Sequence, residues 1–236
     1  MPTTNTKIQR SVILVGGDKG GVGKSAVARA LSDYLYAHGR DHIAYDGDDV
    51  NPTFLRFFPK AERLYTKSVK GFEPLINNLE SETPCQLVDL GGGTSIMLGK
   101  FADHTGFIAL AEKMGAKIAL MFVLAPGVDS VNLLKIISEQ YGNRLQYIIA
   151  RSEAIPGNWD LWQGSKTREK LLAAGATEIT IPALDPDAFS AVDRYSLGWR
   201  VAASDRRLTL AARSYVFRWI EKVNGEFDRV AEILLP

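Results

Sequence analysis

Residues 17–25 read Gly17-Asp18-Lys19-Gly20-Gly21-Val22-Gly23-Lys24-Ser25. No other stretch constrains the chain so strongly. Four glycines in nine positions free the backbone for conformations closed to residues with a Cβ. The apolar run Val12–Val15 comes just before, and a helical pattern over Lys24–Ala37 follows. A strand passing through a glycine-rich turn into a helix points consecutive backbone N–H groups inward, and the helix N-terminus adds partial positive charge. Together they form a seat for phosphate. In such a loop Lys24 reaches the β- and γ-phosphates and the Ser25 hydroxyl ligates Mg²⁺. Asp18, Gly20, Gly21, Val22, Gly23, Lys24, Ser25 and Ala26 are therefore candidate nucleotide-binding residues. An empty glycine-rich turn is the competing interpretation, and Gly-Lys-Ser at a strand–helix junction counts against it.

The rest of the chain repeats the strand–helix alternation. Strand-like runs fall at Val12–Val15, Ile43–Tyr45, Gln86–Leu90, Ile118–Ala125, Gln146–Ala150 and Glu178–Ile181. Helical patterns fall at Lys24–Ala37, Ser95–Asp103, Val128–Tyr141 and Lys166–Ala174. Continuous rather than alternating apolar runs suit strands covered on both faces. The expected fold is α/β: a single doubly wound, mostly parallel sheet with helices on both faces, as in P-loop NTPases. With no linker, repeat or low-complexity run, residues 1–236 read as one domain. An Arg-rich amphipathic helix is expected from about 206 to 223, broken at Asn224-Gly225. The segment Val50–Pro84 shows no regular pattern.

Composition narrows the function classes. The chain is 46% hydrophobic and 23% charged, with Lys+Arg 28 against Asp+Glu 27. That balance gives no global basic field for nucleic acid, so any such contact must be local. A single cysteine, Cys85, excludes an internal disulfide and multi-cysteine metal sites and fits a reducing cytosol. The eight-residue run Ile118–Ala125 is far short of the ~18 residues that span a bilayer. A soluble, cytoplasmic protein is expected.

Acidic residues gather where strands end. After the second run comes Asp46-Gly47-Asp48-Asp49-Val50-Asn51-Pro52-Thr53, and after the third Asp89-Leu90-Gly91-Gly92-Gly93-Thr94. The C-terminal edge of a parallel sheet is its ligand-binding edge. Hard carboxylate oxygens there suit Mg²⁺, which takes one or two protein carboxylates and keeps its waters. An acidic turn capping a helix near Asn51 is the plainer alternative for one of the three acids in the first group. Asp-Leu-Gly-Gly-Gly-Thr also looks like a phosphate loop of actin/Hsp70-type ATPases, but that fold needs two lobes and leaves Gly17–Ser25 unexplained.

Lys19, five residues before Lys24, completes Lys-Gly-Gly-Val-Gly-Lys-Ser. Here the chain resembles the deviant Walker-A ATPases of the ParA/MinD family. The resemblance implies ATP and Mg²⁺ as ligands. It makes Lys19 a lysine that reaches the partner's phosphates across an ATP-dependent homodimer, and Lys24 the lysine acting within its own subunit. Asp46 joins the Mg²⁺ shell with Ser25 and Asp89. Asp48 orients the attacking water, with Asp49 a competing register, and Gly92 senses the γ-phosphate. Adenine recognition falls to Arg151 and to a loop at Pro182, Leu184 and Asp185, although Ala150 stands where the family carries Asn.

Within that family the motifs look most like the accessory ATPases of conjugative and mobile plasmids, the TraL/StbB-like relatives. Iron–sulfur carriers need paired cysteines. Membrane cycling needs a basic amphipathic tail, and Phe227–Leu235 holds two acids against one base, so no membrane anchoring is expected. Residues 188–222 are locally basic, and on a helical projection Arg207, Arg218 and Lys222 share a flank that could meet non-specific DNA. A merely solvated helix face is the alternative. The expected function is a weak Mg²⁺-dependent ATPase switch that positions DNA or a DNA-bound cargo, with a small adaptor or relaxosome protein as partner. A localisation regulator without DNA binding and a monomeric P-loop kinase or ligase are the alternatives. His38, His42, His104, Trp159 and Trp162 read as surface or packing residues.

Overall fold

The computed structural model describes residues 9–17 and 20–236. Seven strands, β1 (Arg10–Gly16), β2 (His42–Gly47), β3 (Glu62–Arg63), β4 (Cys85–Leu90), β5 (Ala116–Leu124), β6 (Gln146–Ser152) and β7 (Thr177–Ile181), form one sheet. Their order is β3-β2-β4-β1-β5-β6-β7, and every neighbouring pair is parallel. This is the α/β P-loop NTPase architecture. All six expected strands are present.

Alternation along each strand divides the core in two. Ile13 and Val15 of β1 face one layer, while Val12 and Leu14 face the other. The first layer holds α1 (Lys24–Ala37), α2 (Thr53–Phe57), α9 (Pro186–Arg194), α10 (Trp199–Ala202), α11 (Leu210–Asp228) and α12 (Ala231–Leu234). The second holds α3 (Glu73–Asn77), α4 (Ser95–Thr105), α5 (Phe107–Lys113), α6 (Val128–Tyr141), α7 (Asp160–Gln163) and α8 (Lys166–Ala173). A buried cation ties the first layer together. The Arg29 guanidinium of α1 lies 3.3 Å from the Phe57 ring centroid and 4.2 Å from that of Trp199. It also donates to the Leu197 carbonyl at 2.8 Å. Arg56 of α2 pairs with Asp193 of α9 beside it.

The C-terminal helix departs from expectation at both ends. It starts at Leu210, because the Thr209 side chain caps it by accepting from Ala212 N at 3.1 Å. It runs on through Asn224-Gly225 to Asp228, because Val223 and Phe227 continue the buried stripe. Burial of those two side chains outweighs the ~1 kcal/mol that an interior glycine costs. The irregular segment 50–84 resolves into α2, β3, a 3₁₀ turn at Val69–Phe72 and α3.

Candidate functional site

The turn after β1 requires glycine at several points. A Cβ at Gly17 would sit 2.6 Å from the Val123 carbonyl oxygen and 3.4 Å from Cδ of the Lys24 stem. Gly21 and Gly23 hold φ of 81° and 98°, in the left-handed region. Gly23 is the N-cap of α1, so Lys24, Ser25 and Ala26 form its first turn. Val22 is fully buried and anchors the turn from beneath, whereas Gly20 and Gly21 are exposed. Asp18 and Lys19 lie outside the described residues.

Asp89, at the end of β4, faces this turn. It is 1% exposed, and neither carboxylate oxygen has a hydrogen-bond partner among the described residues. Burial pushes its carboxyl up to about 7; the Ser25 hydroxyl and Lys24 beside it oppose the rise, and Asp46 and Asp48 add to it. A buried, unpartnered carboxylate opposite a hydroxyl and an ammonium is a donor set that suits a hard divalent cation.

The three acids after β2 have different surroundings. Asp46 is buried: Oδ1 accepts from Asp48 N and Oδ2 from Leu55 N, each at 3.0 Å. Burial raises its carboxyl and those backbone donors pull it back. Asp48 Oδ1 accepts from Val50 N and Asn51 N, each at 2.9 Å, while Oδ2 has no partner among the described residues. Asp49 Oδ2 accepts from Thr66 Oγ1 at 2.9 Å. Among the described residues these acids do not converge into a cluster of three or more metal-binding side chains. A Mg²⁺ held here would rely on one or two carboxylates, Ser25 and its own waters.

Gly91 brings the two acidic loops together. A Cβ there would lie 2.9 Å from both Asp48 Cα and the Gly47 carbonyl oxygen. Gly92 is exposed, and Gly93 has φ 75°. Beyond them a cleft of about 350 Å³ opens between the loops, lined by Asp48, Asp49, Thr66, Lys67 and Gly91–Thr94.

The expected base-reading residues lie at neighbouring strand ends, with Arg151 of β6 in register with Thr180 of β7, just before the Pro182 loop. Arg151 Nη2 donates to Thr180 Oγ1 at 2.9 Å, and its guanidinium lies 5.6 Å from the Trp159 ring centroid. Asp185 caps α9 by accepting from Ala188 N at 2.9 Å. Pro182 O accepts from Trp219 Nε1 at 2.7 Å, and Leu184 packs on the first-layer core. Ser152, which sequence reasoning passed over, is buried with its hydroxyl 3.6 Å from where a Gly23 Cβ would be. Only the fold brings it to the phosphate turn.

The basic flank needs correction. Arg207 precedes α11 and is held by Asp205 at 2.7 Å, so it does not share a helical face with Arg218 and Lys222. Arg218 itself pairs with Glu221 at 2.7 Å. Lys222 is exposed on α11. No helix among the described residues is long and apolar enough to cross a membrane.

The fold is that of the P-loop NTPases, with a glycine-formed turn leading from β1 into α1. The chain resembles the ParA/MinD ATPases in motif and in fold. It superposes on the septum site-determining protein MinD of Pyrococcus horikoshii, a Mg-ADP complex, with a TM-score of 0.53 and 16% identity, covering 96% of this chain and 98% of that one. MinD in the MinC:MinD complex of Aquifex aeolicus matches with a TM-score of 0.51 and 13% identity over 92% and 96% of the two chains. At such identities the likeness is one of fold. Among curated proteins it is similar to Protein MobD of Acidithiobacillus ferrooxidans, 25% identical over 89% of this chain and 93% of the relative. Protein TraL of Escherichia coli is 24% identical over 83% and 88%. No family model matches the chain.

Proposed function

We propose that this chain is a Mg²⁺-dependent ATPase of the ParA/MinD type that dimerises on ATP and acts as a switch for DNA or a DNA-bound cargo. The observation that carries this is the buried, unpartnered Asp89 carboxylate facing Lys24 and Ser25 at the mouth of a glycine-formed turn. The Mg-ADP in the related MinD structure supports the choice of nucleotide and metal. When bound, Mg²⁺ neutralises charge on the phosphates. Lys24 and the backbone N–H groups of the turn hold the phosphates, with Ser25 and Asp89 holding the metal. Asp48, whose Oδ2 is uncommitted, orients water and takes its proton. Asp46 accepts one backbone N–H on each oxygen, which steadies the turn, and its remaining lone pairs are left for the Mg²⁺ shell it is assigned to.

Exposed apolar side chains support the dimer. Val50 is 87% exposed and Ile96 72% exposed, both beside the cleft at the ligand edge. Large apolar residues left in water at such an edge suit a partner surface. Lys19 then belongs to the second subunit's phosphates. The ion pairs at Arg207 and Arg218 favour a DNA-bound partner protein over direct contact with the duplex through this flank. The deciding experiment is ATP binding and turnover by the wild type and by Lys24→Ala. Loss of binding in the variant is expected, and unchanged affinity would refute the site.

A further inference from the structure

The short segment after α2 clamps the acidic turn from outside. Leu64 N donates to Asp46 O at 2.9 Å, and Arg63 Nη2 to Asp49 O at 3.0 Å. The Thr66 hydroxyl reaches both Gly47 O at 3.1 Å and Asp49 Oδ2 at 2.9 Å. Its methyl presses on the same turn: a Cβ at Gly47 would lie 3.1 Å from Thr66 Cγ2. Thus residues 46, 47 and 49 are each gripped from this segment. Asp48, at the cleft wall, is the one residue of this turn with no hydrogen bond to the segment among the described residues.

We propose that Thr66 is a positioning residue for ATP hydrolysis, acting through the Gly47 and Asp49 backbone and side-chain contacts to set Asp48. The inference rests on the ATPase reading above. Thr66 is buried and carries one hydroxyl proton for two acceptors. Deleting that hydroxyl therefore leaves a carbonyl and a carboxylate on the turn without their donor. Freed on that side, the turn shifts, and with it the carboxylate that aims the water. Displacements well under 1 Å at such a group are enough to slow a reaction that depends on alignment. Nucleotide affinity is set elsewhere, at Lys24, Ser25 and Asp89, so it is untouched.

The test compares steady-state ATP hydrolysis, with Mg²⁺ and the full chain, for the wild type, Thr66→Val and Thr66→Ser. Valine keeps the shape and loses the hydroxyl; serine keeps the hydroxyl. Thr66→Val should lower kcat about tenfold with KM for ATP changed by less than about twofold, and Thr66→Ser should retain the wild-type kcat. Asp49→Ala, at a half-exposed position that does not threaten folding, should lower kcat similarly. Combined with Thr66→Val it should add little further loss. Wild-type kcat in Thr66→Val or Asp49→Ala, or equal losses in the serine and valine variants, would overturn the proposal while leaving the ATPase reading intact. A wild type that binds ATP without hydrolysing it would remove both.

Discussion

Gly91 and Asp48 touch backbone to backbone: the space a Gly91 side chain would need is filled by the Asp48 Cα, 2.9 Å from the Cβ position. The loop that follows β4 and the loop that follows β2 thus lie against each other without an intervening side chain. Gly91→Ala should force them apart. A loss of about 1–3 kcal/mol in stability is expected from that overpacking, along with slower ATP turnover. Thermal unfolding and a turnover assay on the same preparation check both.

Asp89→Asn replaces a buried, unpartnered carboxylate with a neutral group of the same shape. The nucleotide-free protein should gain stability at pH 8, where the native carboxyl, raised to about 7, is charged. Mg²⁺-dependent nucleotide binding should fall sharply at the same time, because the hard oxygen donor is lost. Calorimetry with and without Mg·ATP separates the two effects. Equal loss of stability with and without ligand would count against the assignment.

Asp48→Ala should bind ATP and fail to hydrolyse it, trapping the ATP-bound state. If ATP drives association, light scattering of this variant should report a dimer with ATP and a monomer with ADP. A strict monomer at high concentration in ATP would favour a small-molecule kinase or ligase instead.

The trapped variant also tests DNA. Electrostatic association is still strong at ~50 mM salt and weakens steeply as more salt is added. With Arg207 and Arg218 already paired, substituting Lys222 and Arg218 by alanine should change any ATP-dependent gel shift of duplex DNA only slightly. A large, sequence-independent loss in that double variant would restore the direct-contact reading.

His42 makes stability depend on pH. Its Nδ1 lies 3.2 Å from Arg40 O, a carbonyl that can only accept, so Nδ1 carries the proton and Nε2 accepts from Ser32 Oγ at 2.8 Å. Burial lowers its pKa below the ordinary 6.5, partly opposed by the Arg40 carbonyl and Asp41. The stability tied to the neutral ring is therefore complete above pH 6.5 and lost as pH falls through the lowered folded value. Melting temperature measured from pH 7.5 down to about 5 should drop less steeply in His42→Asn than in the wild type.

The central strands were legible because they are buried on both faces and so read as continuous apolar runs. The phosphate turn was legible because its chemistry is local, spanning nine consecutive residues. Segment 50–84 was opaque for the opposite reason. Glu62 and Arg63 are both exposed and become a strand only because β2 offers a free edge. Thr66 acquires its place from contacts 17 and 19 residues away. The Arg207 position was misjudged because the helix start is set by the Thr209 cap, and a periodicity extended by three residues carried Arg207 onto a face it never joins.

The first layer has a consequence for how the chain is made. Helix α1 leaves the ribosome early, yet its partners come late: Arg29 waits for Leu197, 168 residues on, and Tyr34 for Asp228, 194 residues on. Until α9–α11 are synthesised, the flank of the phosphate-turn helix that carries Arg29 and Tyr34 has no cover, although the sheet already backs its inner side. A nascent chain halted before residue 186 should therefore be sticky and protease-sensitive, and native structure should form only after the C-terminal helices emerge.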